Sequence, residues 1–177
     1  MVIIGIDPGS RITGYGLIRM EGNRAIHLDH GCIRITAENA GSRLQQIYTE
    51  LKTIVQQHQP VEAAIEQVFM HQNPGSALKL GQARGAAIVA LGLPIAEYSA
   101  RQVKQSVVGY GAARKEQVQH MVKQLLNMTG TLQADAADAL AIALCHAHSR
   151  SGLQKMGVLF SKKRKRNSWR DYQPNAY

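Results

Sequence analysis

The chain has 177 residues, of which 45% are hydrophobic and 19% charged, a composition typical of a globular protein and unlike that of a disordered chain. The net charge of +9 suggests a polyanionic partner, but it is uneven, because residues 150–177 hold 8 basic and 1 acidic side chains while residues 1–149 hold 13 and 11. The longest apolar run, 86–96, is interrupted by glycine and proline and is too short to span a bilayer, so we expect no membrane association.

Five strands are predicted in chain order. Residues 2–7 are apolar on both faces, as in a central strand, and residues 13–20 and 25–35 follow after short connections. Short connections favour hairpins, so these three strands form an antiparallel meander. Residues 61–65 and 94–98 form the fourth and fifth strands.

Five helices are predicted between and after these strands. A capping box at Ser42 and Gln45 starts the first helix, which ends before Pro60, and a second helix covers 77–91. Its alanines and glycines, and its apolar circumference, suggest burial on more than one side. A capping box at Ser99 and Gln102 starts the third helix, and the fourth and fifth helices cover 115–126 and 134–148.

The order βββαβαβααα predicts an α/β domain over residues 1–149, with a five-stranded mixed sheet and helices on both faces. A basic tail without regular structure is expected over residues 150–177. The crossover helix after the meander places the fourth strand parallel to the central first strand and next to it. Asp7 and Glu66, each at the end of its strand, then lie side by side where α/β sheets usually hold ligands.

Two further acids, Asp135 and Asp138, are three residues apart in the predicted last helix and so share one helical face. Four carboxylates converging in a dry crevice repel one another, and a pair of hard divalent cations such as Mg²⁺ resolves that conflict. Each acid also has a structural alternative. Asp135 is a candidate N-cap, Asp7 a candidate turn residue before Pro-Gly, and Glu66 an ordinary strand end.

Several long stretches resemble the RuvC family of bacterial Holliday-junction resolvases. The matching stretches run from residue 5 to about residue 143 and are GIDPGSRITGYG, AIEQVFM, SALKLGQARG, ARQVKQSVVGYGAARKEQVQHMV and QADAADALAIA. The resemblance implies an RNase H-like fold and a Mg²⁺-dependent endonuclease with two ions per subunit, in which Mn²⁺ can replace Mg²⁺. Asp7, Glu66, Asp135 and Asp138 match its metal-binding acids.

The same resemblance implies the partners of the protein. Members of the family act as homodimers, nick two opposed strands of a four-way DNA junction and work with the branch-migration proteins RuvA and RuvB. The apolar helix at 77–91 is a natural dimer surface; packing on the sheet within one subunit is the alternative, and both can hold on different faces of the helix. The absence of a leader before the first strand and the presence of only two cysteines predict a cytoplasmic protein.

Candidate DNA contacts surround the acids. Phe69 is by itself a typical core residue, but the resemblance favours stacking on an unpaired base, and Lys104 and Lys115 match family positions that contact DNA or assist catalysis. Further basic residues are candidate phosphate contacts: Arg11, Lys79, Arg84, Arg101 and Arg114. We expect Gly9, Gly14 and Gly16 to let a DNA backbone or a neighbouring loop approach closely.

Three other functions are compatible with parts of the pattern. Actin-like ATPases and sugar kinases share the strand–Asp–glycine turn of the first stretch, but they need a second lobe for which this chain is too short. A nuclease of the same fold that acts on RNA and a non-catalytic junction-binding protein are the other two. The basic run 162–166 is either a solvated tail or an electrostatic arm that holds DNA, with Trp169 meeting a base or a protein partner.

Overall fold

The computed structural model describes residues 1–67 and 74–163, with side chains as far as residue 150. Within these residues the elements follow the predicted order βββαβαβααα. Their bounds are β1 Val2–Asp7, β2 Ile12–Glu21, β3 Arg24–Arg34, α1 Ala40–His58, β4 Glu62–Glu66, α2 Pro74–Leu91, β5 Ile95–Tyr98, α3 Ala100–Val108, α4 Lys115–Leu125 and α5 Ala134–Lys163.

The strands form one mixed sheet in the order β3-β2-β1-β4-β5. β1 and β3 both pair antiparallel with β2, as expected for strands joined by short connections. β4 pairs parallel with β1, and β5 pairs parallel with β4. The predicted five-stranded mixed sheet, with the first and fourth strands as neighbours, is therefore confirmed.

Helices cover both faces of the sheet, each over a separate apolar core. α1 and α2 enclose one core, and α3, α4 and α5 enclose the other. Side chains alternate along a strand, so Ile4 and Ile6 of β1 face α1 and α2 while Ile3 faces α5. Asp7, two residues beyond Gly5, continues the row that faces α5. The alternation of β1 thus directs its terminal carboxylate toward α5.

Glycines explain how closely α5 approaches the sheet. A Cβ atom added to Gly5 would lie 2.1 Å from the Ala139 carbonyl oxygen, and one added to Gly14 would lie 2.1 Å from the Asp135 carbonyl oxygen. Any larger residue at either position would push α5 away. Gly14 pairs with Asp7 across β1 and β2. The helix is therefore held closest to the sheet where its own acids lie.

The expected role of the glycines near Asp7 needs correction. Gly14 and Gly16 approach α5 rather than DNA, since a Cβ at Gly16 would contact the Leu140 side chain at 2.6 Å. Gly9 fulfils the loop alternative, because a Cβ there would lie 2.0 Å from the Ile12 carbonyl oxygen. These glycines build the helix–sheet contact and the turn after Asp7, and the DNA alternative is wrong for Gly14 and Gly16.

The helix starts differ in one case from prediction. Asn39, not Ser42, is the N-cap of α1, and its side-chain oxygen accepts a hydrogen bond of 2.8 Å from the Ser42 backbone N–H. Asparagine is as good an N-cap as serine, and capping three residues earlier adds nearly a turn of helix. The predicted capping box of Ser99 and Gln102 is confirmed, with both reciprocal hydrogen bonds present.

α5 continues to Lys163, well past the predicted end at residue 148. The expectation of no regular structure beyond residue 150 is therefore wrong for 150–163, where leucine, glutamine, lysine and methionine are all good helix formers. Residues 164–177, which include most of the basic run and Trp169, lie outside the described residues. No helix in the described part of the chain is long and apolar enough to cross a bilayer.

Candidate active site

The four predicted acids come together at the end of β1 and β4. Ile6 of β1 pairs with Ile65 of β4, so Asp7 and Glu66 are the next residues on two neighbouring parallel strands. α5 begins at Ala134 and brings Asp135 and Asp138 in its first turns to the same place. All three of the other acids raise the pKa of Asp7 through their charge, which shows that the four share one electrostatic site.

The start of α5 shows whether Asp135 is the N-cap of that helix. Because α5 begins at Ala134, Asp135 lies inside the first turn and is not the N-cap. The backbone N–H of Ala137 donates to the Gln133 carbonyl at 2.9 Å, so the helical hydrogen bonds begin at Gln133. Both aspartates are half-buried members of the helix rather than capping residues.

A crevice of about 170 Å³ opens beside these acids. Glu66 and Asp138 line one part of it, and Lys104 of α3 and Lys115 of α4 line another. Its remaining lining is apolar, from Ala100, Val103, Val118, Ala141 and Ile142. The crevice therefore presents two carboxylates and two ammonium groups over an apolar floor, which suits a charged ligand whose water shell is partly removed.

The acid site is buried and holds more negative than positive charge, which raises the pKa values of Asp7 and Glu66. Burial, together with the charges of Asp138, Glu66 and Asp135 in that order, raises the pKa of Asp7 to about 7, while the charge of Lys115 opposes this rise. Burial also raises the pKa of Glu66, as does the charge of Asp138, and Lys104 and Lys115 lower it. Without a further cation, the site disfavours the full ionisation of its carboxylates.

Lys115 supplies part of the missing charge. Its Nζ lies 2.7 Å from Oδ2 of Asp138, and this hydrogen bond is the main reason that the pKa of Lys115 is raised. The charges of Asp135 and Asp7 raise it as well. Lys115, predicted from the sequence to contact DNA, therefore also acts as a counterion to all four acids.

The four carboxylates suit a hard divalent cation by their chemistry, although their side chains are not arranged around a single point. Among residues 1–67 and 74–150, no three acid, histidine or cysteine side chains are arranged to hold a metal ion. The four carboxylates nevertheless provide only oxygen donors, which Mg²⁺ prefers, and their mutual repulsion is the feature that such an ion relieves. An ion bound here would be held by these carboxylates, and Lys115 is the cation that already neighbours Asp138 at that place.

The loop that follows Asp7 is fastened by Thr13, the buried polar residue at the start of β2. The Thr13 hydroxyl donates to the Gly9 carbonyl at 3.1 Å, and its oxygen accepts from the Gly9 N–H at 3.3 Å. These contacts hold the Pro-Gly turn against the sheet. Asp7 thus lies between β1, which is paired with its neighbours, and a turn that Thr13 holds in place. The turn role predicted as an alternative for Asp7 belongs to the residues that follow it.

Besides Lys104 and Lys115, which line the crevice, the predicted DNA contacts divide into three groups. Arg11, Lys79, Arg101 and Arg114 are exposed. Arg84 is turned inward and contacts Glu97 and the Glu66 carbonyl, which the sequence pattern did not indicate. Phe69 lies outside the described residues.

The histidines in the middle of α5 have structural partners. His146 Nδ1 lies 2.9 Å from the Tyr98 hydroxyl, and its Nε2 lies 2.9 Å from Glu62 Oε2. His148 contacts the Ser106 hydroxyl at 3.1 Å. These contacts give His146 and His148 structural roles in packing α5 against β4, β5 and α3.

Comparison with known proteins identifies the family. A profile described as crossover junction endodeoxyribonuclease RuvC matches residues 3–146. The RuvC of Tolumonas auensis is 62% identical over 158 residues, 88% of this chain and 91% of that protein. The RuvC of Acinetobacter baylyi is 60% identical over 161 residues, 89% of each chain.

The fold agrees with this sequence similarity. The structure of Thermus thermophilus RuvC in complex with a Holliday junction substrate has a TM-score of 0.79 and 34% sequence identity, covering 86% of this chain and 96% of that one. The mixed sheet and its helices are thus those of an RNase H-like resolvase, as expected. The chain therefore belongs to the RuvC family of crossover junction endodeoxyribonucleases, which are metal-dependent nucleases.

Proposed function

We propose that this protein resolves four-way DNA junctions by paired nicks, with Asp7, Glu66, Asp135 and Asp138 holding two Mg²⁺ ions in each subunit. The single observation that carries the proposal is the convergence of these four carboxylates at one place, where burial and the charges of the other three acids raise the pKa of Asp7 to about 7. When bound, the ions supply positive charge for phosphodiester hydrolysis, and Mn²⁺ can replace them because it accepts the same ligands. The protein supplies the acids, the crevice and the placement of the DNA strand.

The lysines of the crevice are proposed to position that strand. Lys104 and Lys115 line the same crevice as Glu66 and Asp138, so a phosphate placed against the acids lies within reach of both ammonium groups. Arg11, Lys79, Arg101 and Arg114 are proposed to hold the flanking duplex through phosphates, which gives affinity without sequence preference. Phe69 stays a proposed stacking residue on the basis of the sequence alone.

The first expected result concerns substrate choice. With Mg²⁺ or Mn²⁺, the protein should cleave a labelled four-way junction at symmetric positions on two opposed strands, and it should leave matched duplex DNA and an RNA–DNA hybrid of the same sequence intact. Product mapping on denaturing gels at saturating protein measures this. Faster cleavage of the hybrid would identify an RNA nuclease of the same fold, and tight junction binding without cleavage in either metal would identify a binding protein.

A homodimer is proposed to form through the outer face of α2. The inner face of α2 is buried at Ala83, Ala87 and Ala90. Its outer face is exposed in the single chain, so the predicted burial of this helix on more than one side does not occur there. On the outer face Leu78 and Val89 are 65% and 67% exposed. Helix-interior glycines cost about 1 kcal/mol each relative to alanine, so exposed glycines there suggest close approach of another backbone.

The outer face of α2 has such glycines. A Cβ at Gly81 or Gly85 would meet no atom within 4 Å, so neither glycine is needed within the chain itself. Together with Leu78 and Val89 they form an apolar stripe along one side of the helix. A second copy of the chain is the proposed occupant, because a twofold dimer presents two equivalent acid sites to a junction that is itself nearly twofold symmetric.

Val89→Asp should disrupt this dimer. A buried unpaired charge at the centre of an interface costs about 3 kcal/mol or more, so the dimer dissociation constant should rise roughly 100-fold. Light scattering coupled to gel filtration measures the mass, and Gln57→Asp on the exposed side of α1 is the matched control. An unchanged dimer mass for Val89→Asp would place the interface elsewhere.

The remaining partners are proposed from family membership. RuvA and RuvB would deliver the junction, and a cytoplasmic location follows from that role. The basic run 162–166 is proposed as an arm that holds DNA through phosphates, and the division between residues 149 and 150 stays a prediction.

A further inference from the structure

Arg84 lies behind the acid site rather than in front of it. It is on α2, and its Nη2 lies 2.8 Å from Oε1 of Glu97 on β5. Its Nε donates to the backbone carbonyl of Glu66 at 3.4 Å. The guanidinium therefore connects a helix, the last residue of β4 and the neighbouring strand.

The two faces of the sheet separate this contact from the acids. Ile65 and Ile95 belong to the core that α1 and α2 enclose, and strand alternation places Glu97 on that same face. The side chain of Glu66 lies on the opposite face and lines the crevice beside Asp138. Arg84 thus holds the backbone of Glu66 from one face while the carboxylate of Glu66 serves the site on the other.

The burial of Arg84 argues against a phosphate contact. Its side chain is only 19% exposed, and its Nη2 atom is buried from solvent, where it is close enough to Glu97 for an ion pair but makes no well-aligned hydrogen bond. A guanidinium removed from water needs an anionic partner, and Glu97 provides one on the protein itself. The planar fork of arginine can also face a carboxylate with one nitrogen and a carbonyl with another, which the single ammonium of lysine cannot do as well.

The end of β4 has few other restraints. Glu66 is its last residue, and Gln67 adds one more ladder hydrogen bond, from its N–H to the Tyr98 carbonyl at 2.9 Å. β5, which supplies that bond, is a four-residue edge strand. Arg84 connects this short pair of strand ends to α2, as Tyr98 connects the end of β5 to α5 through His146.

We propose that Arg84 is a positioning residue that holds the Glu66 carboxylate at the acid site through its ion pair with Glu97 and its hydrogen bond to the Glu66 carbonyl. The proposal rests on the proposed role of Glu66 as a metal-binding acid. Residues that orient a metal ligand typically change metal affinity or activity by about 10- to 100-fold when they are removed.

Arg84→Met tests this role, because methionine keeps much of the apolar volume and removes the charge and the donors. We expect the dissociation constant for Mn²⁺, titrated by electron paramagnetic resonance on the free protein, to rise about tenfold. The single-turnover cleavage rate at saturating protein should fall about 10- to 100-fold, while the junction dissociation constant measured in Ca²⁺ stays within about twofold. Arg84→Lys should lose less in both measurements because it keeps the ion pair.

Two further variants separate the pair from general damage. Glu97→Gln should change Mn²⁺ affinity in the same direction, and the double variant should be no worse than Arg84→Met alone, since both substitutions break one contact. Arg19→Met is the matched control, because it removes another Arg–Glu pair, with Glu21, whose side chains are 47% and 56% exposed. It should leave Mn²⁺ affinity and cleavage unchanged.

Other results would overturn the proposal in distinct ways. Weaker junction binding with a salt slope reduced by about 0.9, together with normal cleavage at saturation, would make Arg84 a phosphate contact. A lower melting temperature with unchanged Mn²⁺ affinity would make it a stability residue only. Normal Mn²⁺ binding by Asp7→Asn would instead remove the proposed function itself, whatever the Arg84 variants do.

Discussion

Asp7→Asn should lower the rate of junction cleavage by at least about 100-fold, because asparagine keeps the size of the side chain but removes the charge that holds a cation. The junction dissociation constant should change by less than about threefold, since the proposed phosphate contacts lie on other residues. Single-turnover cleavage in Mg²⁺ and binding in Ca²⁺ measure the two quantities. Asp29→Asn, which changes a partner of His58 away from the site, is the matched control and should cleave normally.

The same variant should stabilise the metal-free protein at high pH. Asp7 has a pKa of about 7 in the folded protein and 3.8 as its ordinary value, so between these values the folded state binds more protons than the unfolded state. The stability that Asp7 contributes is therefore complete below about pH 4 and is lost as the pH rises to about 7. Asparagine does not titrate and avoids this loss.

Melting temperatures in EDTA at pH 5 and pH 8 test the sign. The advantage of Asp7→Asn over the natural protein should grow between these pH values, and a change of 1 kcal/mol corresponds to about 3 °C for a chain of this length. Adding Mg²⁺ at pH 8 should stabilise the natural protein more than the variant, because the ion binds the ionised site. A variant that melts below the natural protein at pH 8 without metal would contradict the electrostatic account of Asp7.

Sequence reasoning could place Asp7 next to Glu66 because strand order follows from connection lengths and one crossover. It could place Asp135 and Asp138 on one helical face because the helical period is known. The helical period could not predict that this face reaches Asp7, which only the family resemblance implied, since the approach depends on the clearance at Gly5 and Gly14 under α5. A glycine near a turn can allow close approach of a loop, a helix or a ligand, and the sequence does not tell which of these it is.

The Arg84–Glu97 pair shows a different limit. An arginine on a helix near a predicted acid site is reasonably interpreted as a phosphate contact, and no spacing distinguishes an outward from an inward guanidinium. The distinction depends on Glu97 lying on the face of β5 that α2 covers, and on α2 crossing behind the end of β4. Pairings between residues on separate elements, unlike helical or strand periods, leave no local pattern in the chain.

Lys115→Met is expected to change metal affinity and cleavage in opposite directions. Removing the ammonium that lies 2.7 Å from Asp138 eliminates a cation that occupies a carboxylate needed for metal, so Mn²⁺ should bind about tenfold more tightly at pH 8. Cleavage at saturating metal should still fall about 10- to 100-fold, because the released ammonium is proposed to hold the DNA phosphate beside the acids. Mn²⁺ titration of the free protein and single-turnover cleavage measure the two effects.

Opposite changes of this kind exclude a general disturbance of the site, which would weaken both metal binding and cleavage. The choice of pH 8 matters because Lys115 also lowers the pKa of Asp7 and Glu66, so below pH 7 its loss would favour protons over the metal ion. Lys123→Met, in the last turn of the same helix α4, controls for the loss of one positive charge and should leave both quantities unchanged. Weaker Mn²⁺ binding by Lys115→Met at pH 8 would mean that Lys115 supports the bound ion rather than competing with it at Asp138.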